Sequence, residues 1–318
     1  MDWQDILLWE VEGAPTTLWP LASDIPTIET FSKHYFSLPA DVTLFSEEDF
    51  RKSYLINISD GKPYPSQYLL SVSSPFAEPF YETASEVATL SYLREHTTIP
   101  VPRVISHRST PVNELACQWV LMELAPGVPL KAVWEDMVQE TKDKVKEAVT
   151  RFVHELRDPK RHFTAFGNLY FRKDIEAFDS QIRVSSMKDD AYVIGPFVEV
   201  FTSSCRRKPR ASSDLGPYSN HEEYADAQVP AVDEDLDEDI VKEIAEMLSE
   251  HRRISEERLS SQFADFTLNH HHELSMDNIF VDPGTYEVSG VIRWEYAAIR
   301  PRWEEDTEFL SLNGPSVE

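Results

Sequence analysis

The stretch that decides the fold reads His270-His271-His272-Glu273-Leu274-Ser275-Met276-Asp277-Asn278-Ile279-Phe280-Val281-Asp282. It resumes a few residues later as Gly290-Val291-Ile292-Arg293-Trp294-Glu295. Ile279-Phe280-Val281 and Val291-Ile292 are short β-prone runs, and Pro283-Gly284 opens the turn between them, so the spacing predicts a hairpin. Polar residues sit at the mouths of both strands: His271, Glu273 and Asn278 before the first, Arg293 at the end of the second. The three histidines do not add up to a metal site. Consecutive side chains on an extended segment point to alternate sides, so only two of them share a face. No Glu-x-x-His helix supports them. No metal ligand is assigned here.

Outward from this stretch, the totals narrow the classes. The chain has 318 residues and 41% hydrophobic content, enough for one large domain or two lobes with a sizeable core. A formal net charge of −26 repels phosphate backbones and anionic lipid surfaces, which argues against nucleic-acid and membrane partners. Two cysteines, Cys117 and Cys205, make no disulfide framework, and a reduced cytoplasmic setting is expected. No apolar run approaches the ~20 residues of a membrane span. The acidic start Met1-Asp2-Trp3-Gln4-Asp5 has no signal-peptide pattern.

Upstream, residues 1–40 carry scattered aromatics and read as short helical pieces over a surface. Ser53–Ile58 and Gln67–Val72 read as strands with Asp60-Gly61 near their turn. The preceding turn, Phe45-Ser46-Glu47-Glu48-Asp49-Phe50, holds three consecutive acids and no glycine, and is expected to be solvated. Residues 81–96 and 131–157 have helical apolar spacing; Val145, Val149, Phe152, Val153 and Leu156 should face the core. Trp119-Val120-Leu121-Met122-Glu123 reads as a strand running into Pro126-Gly127. Asp233–Asp239 is an acidic run suited to the start of a helix at Ile240.

The order of these blocks resembles the aminoglycoside-phosphotransferase and choline-kinase superfamily, in its fungal branch. The resemblance rests on "LSMDNIFVDP" and "GVIRW", on "IPVP" at Ile99–Pro102 and on "WVLMELAPG" at Trp119–Gly127, and covers roughly residues 50–300. It implies an α+β, two-lobed protein-kinase-like fold. The expected division is a small β-rich lobe within 1–124 and a larger, mostly helical lobe within 125–318 that contains the hairpin region 270–294. It also implies that the chain ends with less helical cover over the acceptor pocket than the family usually has.

The resemblance implies site positions too, and here the chain departs from the family. The catalytic Asp falls on Glu273 and the metal-binding Asp on Arg293. The strand cation that pairs phosphate falls on Ser71, and its helix partner on Glu86. His271 would brace the loop, and Asn278 is retained. Phosphoryl transfer depends on positioning and on neutralising phosphate charge. A guanidinium where a dication belongs would repel that dication. Lys62 and the Arg51-Lys52 pair are the nearest cations to Ser71, and neither is expected in register.

The first expectation is therefore a degenerate, pseudokinase-like member with no cofactor. Its cleft, lined by His271, Glu273, Asn278 and Arg293, would bind a small organic molecule. Such a cleft suits a non-phosphoryl step, isomerisation or intramolecular cyclisation or cycloaddition, in fungal-type secondary metabolism. Arg293 is expected to replace the metal by pairing with Glu273 or Glu86. The second expectation is a divergent ATP- and magnesium-dependent phosphotransferase using Glu295 or Asp277 as a substitute ligand. The third is a non-catalytic scaffold.

Overall fold

In a computed structural model the described residues are 10–11, 14–15, 24–48, 51–61, 66–73, 81–158, 163–178, 182–198, 215–220, 223–224, 227, 266–269 and 274–301. They form a two-lobed α+β fold. At the start, β1 (Glu10–Val11) pairs with β2 (Ala14–Pro15) as a small separate ribbon. Helix α1 (Ile25–Phe36) then begins at Asp24, whose carboxylate accepts the Thr27 N–H at 2.8 Å, with Pro26 in the first turn.

The first lobe is a five-stranded antiparallel sheet. It comprises β3 (Ala40–Glu47), β4 (Arg51–Ile58), β5 (Ser66–Ser73), β6 (Val104–Arg108) and β7 (Gln118–Glu123), in the order β3-β4-β5-β7-β6. Alternation divides β7 between two cores. Trp119 and Leu121 join Ile28 and Phe31 of α1, while Val120 and Met122 join α2 (Glu82–His96) on the other face. Covered on both faces, β7 is apolar without a break, and this is why "WVLM" carries no polar alternation.

Helix α2 is buried along most of its length and reaches the second lobe through β9 (Asn168–Phe171). The buried Asn168 amide donates to Ser85 Oγ at 2.9 Å and to the Ala297 carbonyl at 3.0 Å. Its carbonyl accepts from Val198 N. One side chain thus ties α2 to two loops of the second lobe.

That lobe also holds β8 (Val128–Pro129), α3 (Leu130–Val133), α4 (Gln139–Leu156), α5 (Arg172–Phe178), β10 (Ser185–Ser186), β11 (Tyr192–Gly195), β12 (Phe266–Asn269), β13 (Ile279–Val281), β14 (Val288–Val291) and β15 (Ala298–Pro301). The strands form three small sheets, β14-β13-β8, β10-β11-β9 and β12-β15. The helix expected over 131–157 is two helices, because residues 134–138 turn to bury Trp134 and Met137. Val145, Val149, Phe152 and Leu156 are buried as the spacing predicts; Val153 is only partly so. The acidic run 233–239 and the helix expected after it lie outside the described residues.

The decisive hairpin is present. Strand β13 pairs antiparallel with β14, Ile279 opposite Val291. Its turn is fixed by Asp282, whose carboxylate accepts the N–H groups of Gly284 and Thr285, both at 2.8 Å. Two connectors are fastened to it. Val291 N donates to the Pro100 carbonyl at 2.7 Å, and Ser289 Oγ donates to the Pro126 carbonyl at 2.6 Å. Gly127 passes so close that a Cβ there would lie 2.2 Å from the Val281 carbonyl oxygen, and its φ of 96° favours glycine independently. The hairpin is therefore clamped beneath the end of β7, and a cleft opens between them.

Candidate ligand cleft

The cleft holds a cavity of about 270 Å³ between the first-lobe sheet and the hairpin. Phe45, Leu69, Leu90, Met122, Phe280 and Ile292 give it apolar walls. Arg51, Glu86, Arg293 and Glu295 charge one end, and Glu123, Asp277 and Asn278 also line it. Asn278 is held in place by the hairpin: its carbonyl accepts Ile292 N at 3.0 Å, and its own N–H donates to Ser275.

The charged end is built by strand register. Ser71 pairs with Ser53 across β4 and β5, and their hydroxyls lie 2.9 Å apart, so Ser71 carries no cation. Two residues earlier on β4, Arg51 stands opposite Ser73. With a period of two, it shares the face of Ser53 and Ser71. It fills the position that Ser71 leaves. Arg51 Nη2 donates to both Glu86 oxygens at 2.9 and 2.8 Å, and Nη1 donates to Glu82 at 2.9 Å. Glu82 and Glu86 are one helical turn apart on α2, which is why one planar guanidinium reaches both. The expectation that Arg51 lies out of register is corrected here. Beginning the strand at Ser53 had left it outside the pleat.

Arg293 also has other partners than expected. It donates to both carboxylate oxygens of Glu48, through Nη1 and, at 3.1 Å, through Nη2, and its Nε lies 2.7 Å from Glu295. It does not pair with Glu86, which Arg51 already holds. His271 and Glu273 lie outside the described residues. Glu48 belongs to the acidic turn between β3 and β4, so that turn is not simply solvated: Glu48 crosses the cleft, and Glu47 pairs with Lys52 at 2.9 Å. Arg293 takes a left-handed backbone, φ 72°, unfavourable for a residue with a side chain.

The electrostatics follow from the count of charges. Glu82, Glu86 and Glu295 are 5%, 3% and 2% exposed, and Arg51 sits among them. Burial works against the Arg51 charge, but Glu86, Glu295 and Glu82 outweigh it, and its pKa rises well above the ordinary arginine value. Glu82 and Glu86 share Arg51, and Glu295 is held by Arg293. Burial raises Glu86, Arg51 pulls it down and Glu295 pushes it up again, and it ends at about 7. Glu82 is raised too, first by burial. Arg293 is held charged by Glu295 and Glu48 against its burial.

Residues 41–305 match the profile described as the phosphotransferase enzyme family. The chain belongs to this family. A subtelomeric hrmA-associated cluster protein of Aspergillus fumigatus is 24% identical over 310 residues, covering 83% of this chain and 58% of that protein. A protein of Clavispora lusitaniae named altered inheritance of mitochondria protein 9, mitochondrial, is 31% identical over 144 residues, 42% of this chain and 23% of that protein. This chain thus spans little more than half the length of the first of these relatives. The crystal structure of aminoglycoside phosphotransferase APH(4)-Ia superposes with a TM-score of 0.51 at 16% identity, covering 87% of this chain and 73% of that one. That likeness concerns the fold.

Family membership implies a nucleotide and magnesium in this cleft, and the residues described do not fit them. Arg293, on which the resemblance puts the metal-binding position, is already tied to two carboxylates. The turn between β3 and β4, where the resemblance expects a glycine over the phosphates, carries Glu48 paired to Arg293. The two substitute ligands are also engaged, Glu295 by Arg293 and Asp277 by Lys131 at 2.9 Å. Among the described residues, the one trio suited to a metal, Glu95, His96 and Asp189, is exposed and does not line the cavity. No helix among them is long and apolar enough to cross a membrane.

Proposed function

We propose that this protein has kept the kinase-like cleft but not phosphoryl transfer, and that the cleft binds a small organic molecule. The observation that carries this reading is the Glu48–Arg293–Glu295 chain of charge. Where the family needs a dication between phosphate oxygens and a carboxylate, this protein has a guanidinium between two carboxylates. The charge pattern is closed without metal or phosphate, and a polyphosphate entering the cleft would meet Glu48 and Glu86. Apolar walls beside fixed polar groups suit an organic ligand instead.

A non-phosphoryl step is supported by Glu86. A carboxyl group titrating at about 7 beside the cavity holds a proton near neutral pH and can release it, as isomerisation or intramolecular cyclisation requires. The Aspergillus fumigatus relative is in keeping with a fungal setting, and the place in secondary metabolism is part of the proposal. We place the protein in the cytoplasm, where a thiol such as buried Cys117 stays reduced. Thermal shift with ATP and magnesium tests the reading, because any ligand selective for the native state raises the melting temperature by mass action. No shift and no phosphate release are expected. A shift with turnover would establish a working phosphotransferase.

A further inference from the structure

We propose that the far end of α2 carries a site for a zinc-class divalent ion, away from the cleft and independent of the reading above. Its ligands are Glu95 and His96, the last two residues of α2, and Asp189 in the turn between β10 and β11. One ligand atom from each, an imidazole nitrogen and two carboxylate oxygens, lies within 4.8 Å of the others. His96 Nε2 stands 3.4 Å from Asp189 Oδ2. That is long for a hydrogen bond, whose N···O distance is about 2.7–3.2 Å. It matches two ligands of one zinc ion. Bonds of about 2.0–2.2 Å at a tetrahedral angle put the ligand atoms roughly 3.3–3.6 Å apart.

The three ligand heads are exposed, but groups outside the trio aim each of them. Tyr192, 1% exposed, donates its hydroxyl to Glu95 Oε2 at 2.7 Å. The His96 ring lies against the buried Tyr92 ring, centroids 4.5 Å apart, and meets the Tyr192 ring edge-on at 6.1 Å. Asp189 Oδ1 accepts the Ala191 N–H at 3.0 Å, and Oδ2 is the oxygen that faces His96. Outer partners of this kind fix the orientation of metal ligands and raise affinity. The site also stands at the C-terminal, negative end of a helix of 15 residues, which favours a cation. A nitrogen beside two carboxylates suits zinc and its neighbours, whereas magnesium and calcium take oxygen ligands. Three protein ligands leave a fourth position to water. A bound ion would tie the end of α2 to the β10–β11 turn, and the same helix holds Glu82 and Glu86 at its other end.

Calorimetric titration of the full chain, stripped by a chelator and then titrated with zinc chloride, tests this, with magnesium chloride as the control. Saturable binding is expected for zinc and none at this site for magnesium. His96→Ala is expected to weaken zinc binding by more than about a hundredfold, beyond the range for losing an outer partner. Tyr192→Phe keeps the ring and removes only the hydroxyl, and should weaken binding by about 10–100-fold. Replacing His270, His271 and His272 together by alanine should leave the affinity unchanged. His96 and Asp189 are exposed, so the metal-free melting temperatures of their variants should stay at the native value. Should His96→Ala not fold, Asp189→Asn decides in its place. The absence of saturable zinc binding overturns the proposal. So does affinity that survives in His96→Ala or in Asp189→Asn, or that is lost with the three histidines.

Discussion

Glu48 and Arg293 are 245 positions apart in the chain, yet they share two hydrogen bonds across the cleft. One stands in the turn between β3 and β4, the other just beyond β14. The pair joins the first lobe to the hairpin at the charged end of the cleft. Glu48 and Arg293 match in charge across the cleft, and Arg293 is held from its other side by the buried Glu295.

Removing Arg293 should therefore destabilise the protein. Arg293→Ala withdraws a cation from Glu295, which is buried, and cuts the tie to Glu48. The expected loss is about 2–4 kcal/mol, somewhat below the ~3–5 kcal/mol for breaking a fully buried pair from one side, because Arg293 is only partly buried. Chemical denaturation checks it. Arg293→Lys, which keeps the charge but not the fork, should lose less. A loss below about 0.5 kcal/mol in the alanine variant, the usual size of a surface change, would show the pair to be decorative.

Glu86 predicts an unusual pH dependence. Its folded pKa, about 7, lies above its ordinary value of 4.5, so between these the folded state binds more protons than the unfolded chain. Stability from this group is full below pH 4.5 and is lost as pH rises through 7. The contribution is on the order of 3 kcal/mol, from about 1.4 kcal/mol per pH unit. Urea unfolding midpoints should fall between pH 5.5 and pH 8. Glu86→Gln, a neutral isostere that still accepts from Arg51, should flatten that fall. An unchanged slope in the variant would refute the assignment.

Gly127 sets the approach of the hairpin to the end of β7. Gly127→Ala places a methyl group 2.2 Å from a backbone oxygen at φ 96°. Backbone must move to relieve it, and a cost above about 2 kcal/mol is expected in thermal or chemical unfolding. The measured cost should come with weaker ligand binding in the cleft, because the same clamp positions Asn278.

Much of this was legible in the sequence. The hairpin, the β7 strand and the first-lobe strands followed from apolar runs and turn residues, and Arg293 stood out by its sign. Partnerships were harder to read. Arg51 was missed because a strand boundary was drawn two residues late. In a pleat, whether a side chain belongs to a cluster is decided by parity and register, not by distance along the chain. Glu48 was missed because acids in a turn usually face water, and only the fold brings Arg293 to meet one. The break between α3 and α4 was hidden because Trp134 and Met137 are compatible with a helix locally and are turned inward by the core.

The most direct measurement is calorimetric titration of the full chain with ATP in the presence of magnesium, on the native protein and on Arg293→Asp. No saturable heat is predicted for either protein, because restoring one aspartate leaves Glu48 in the turn, and Arg51, which takes the place of the missing strand cation, is shared between two buried acids, Glu82 and Glu86. Saturable, magnesium-dependent binding by the native protein would contradict the account at its centre.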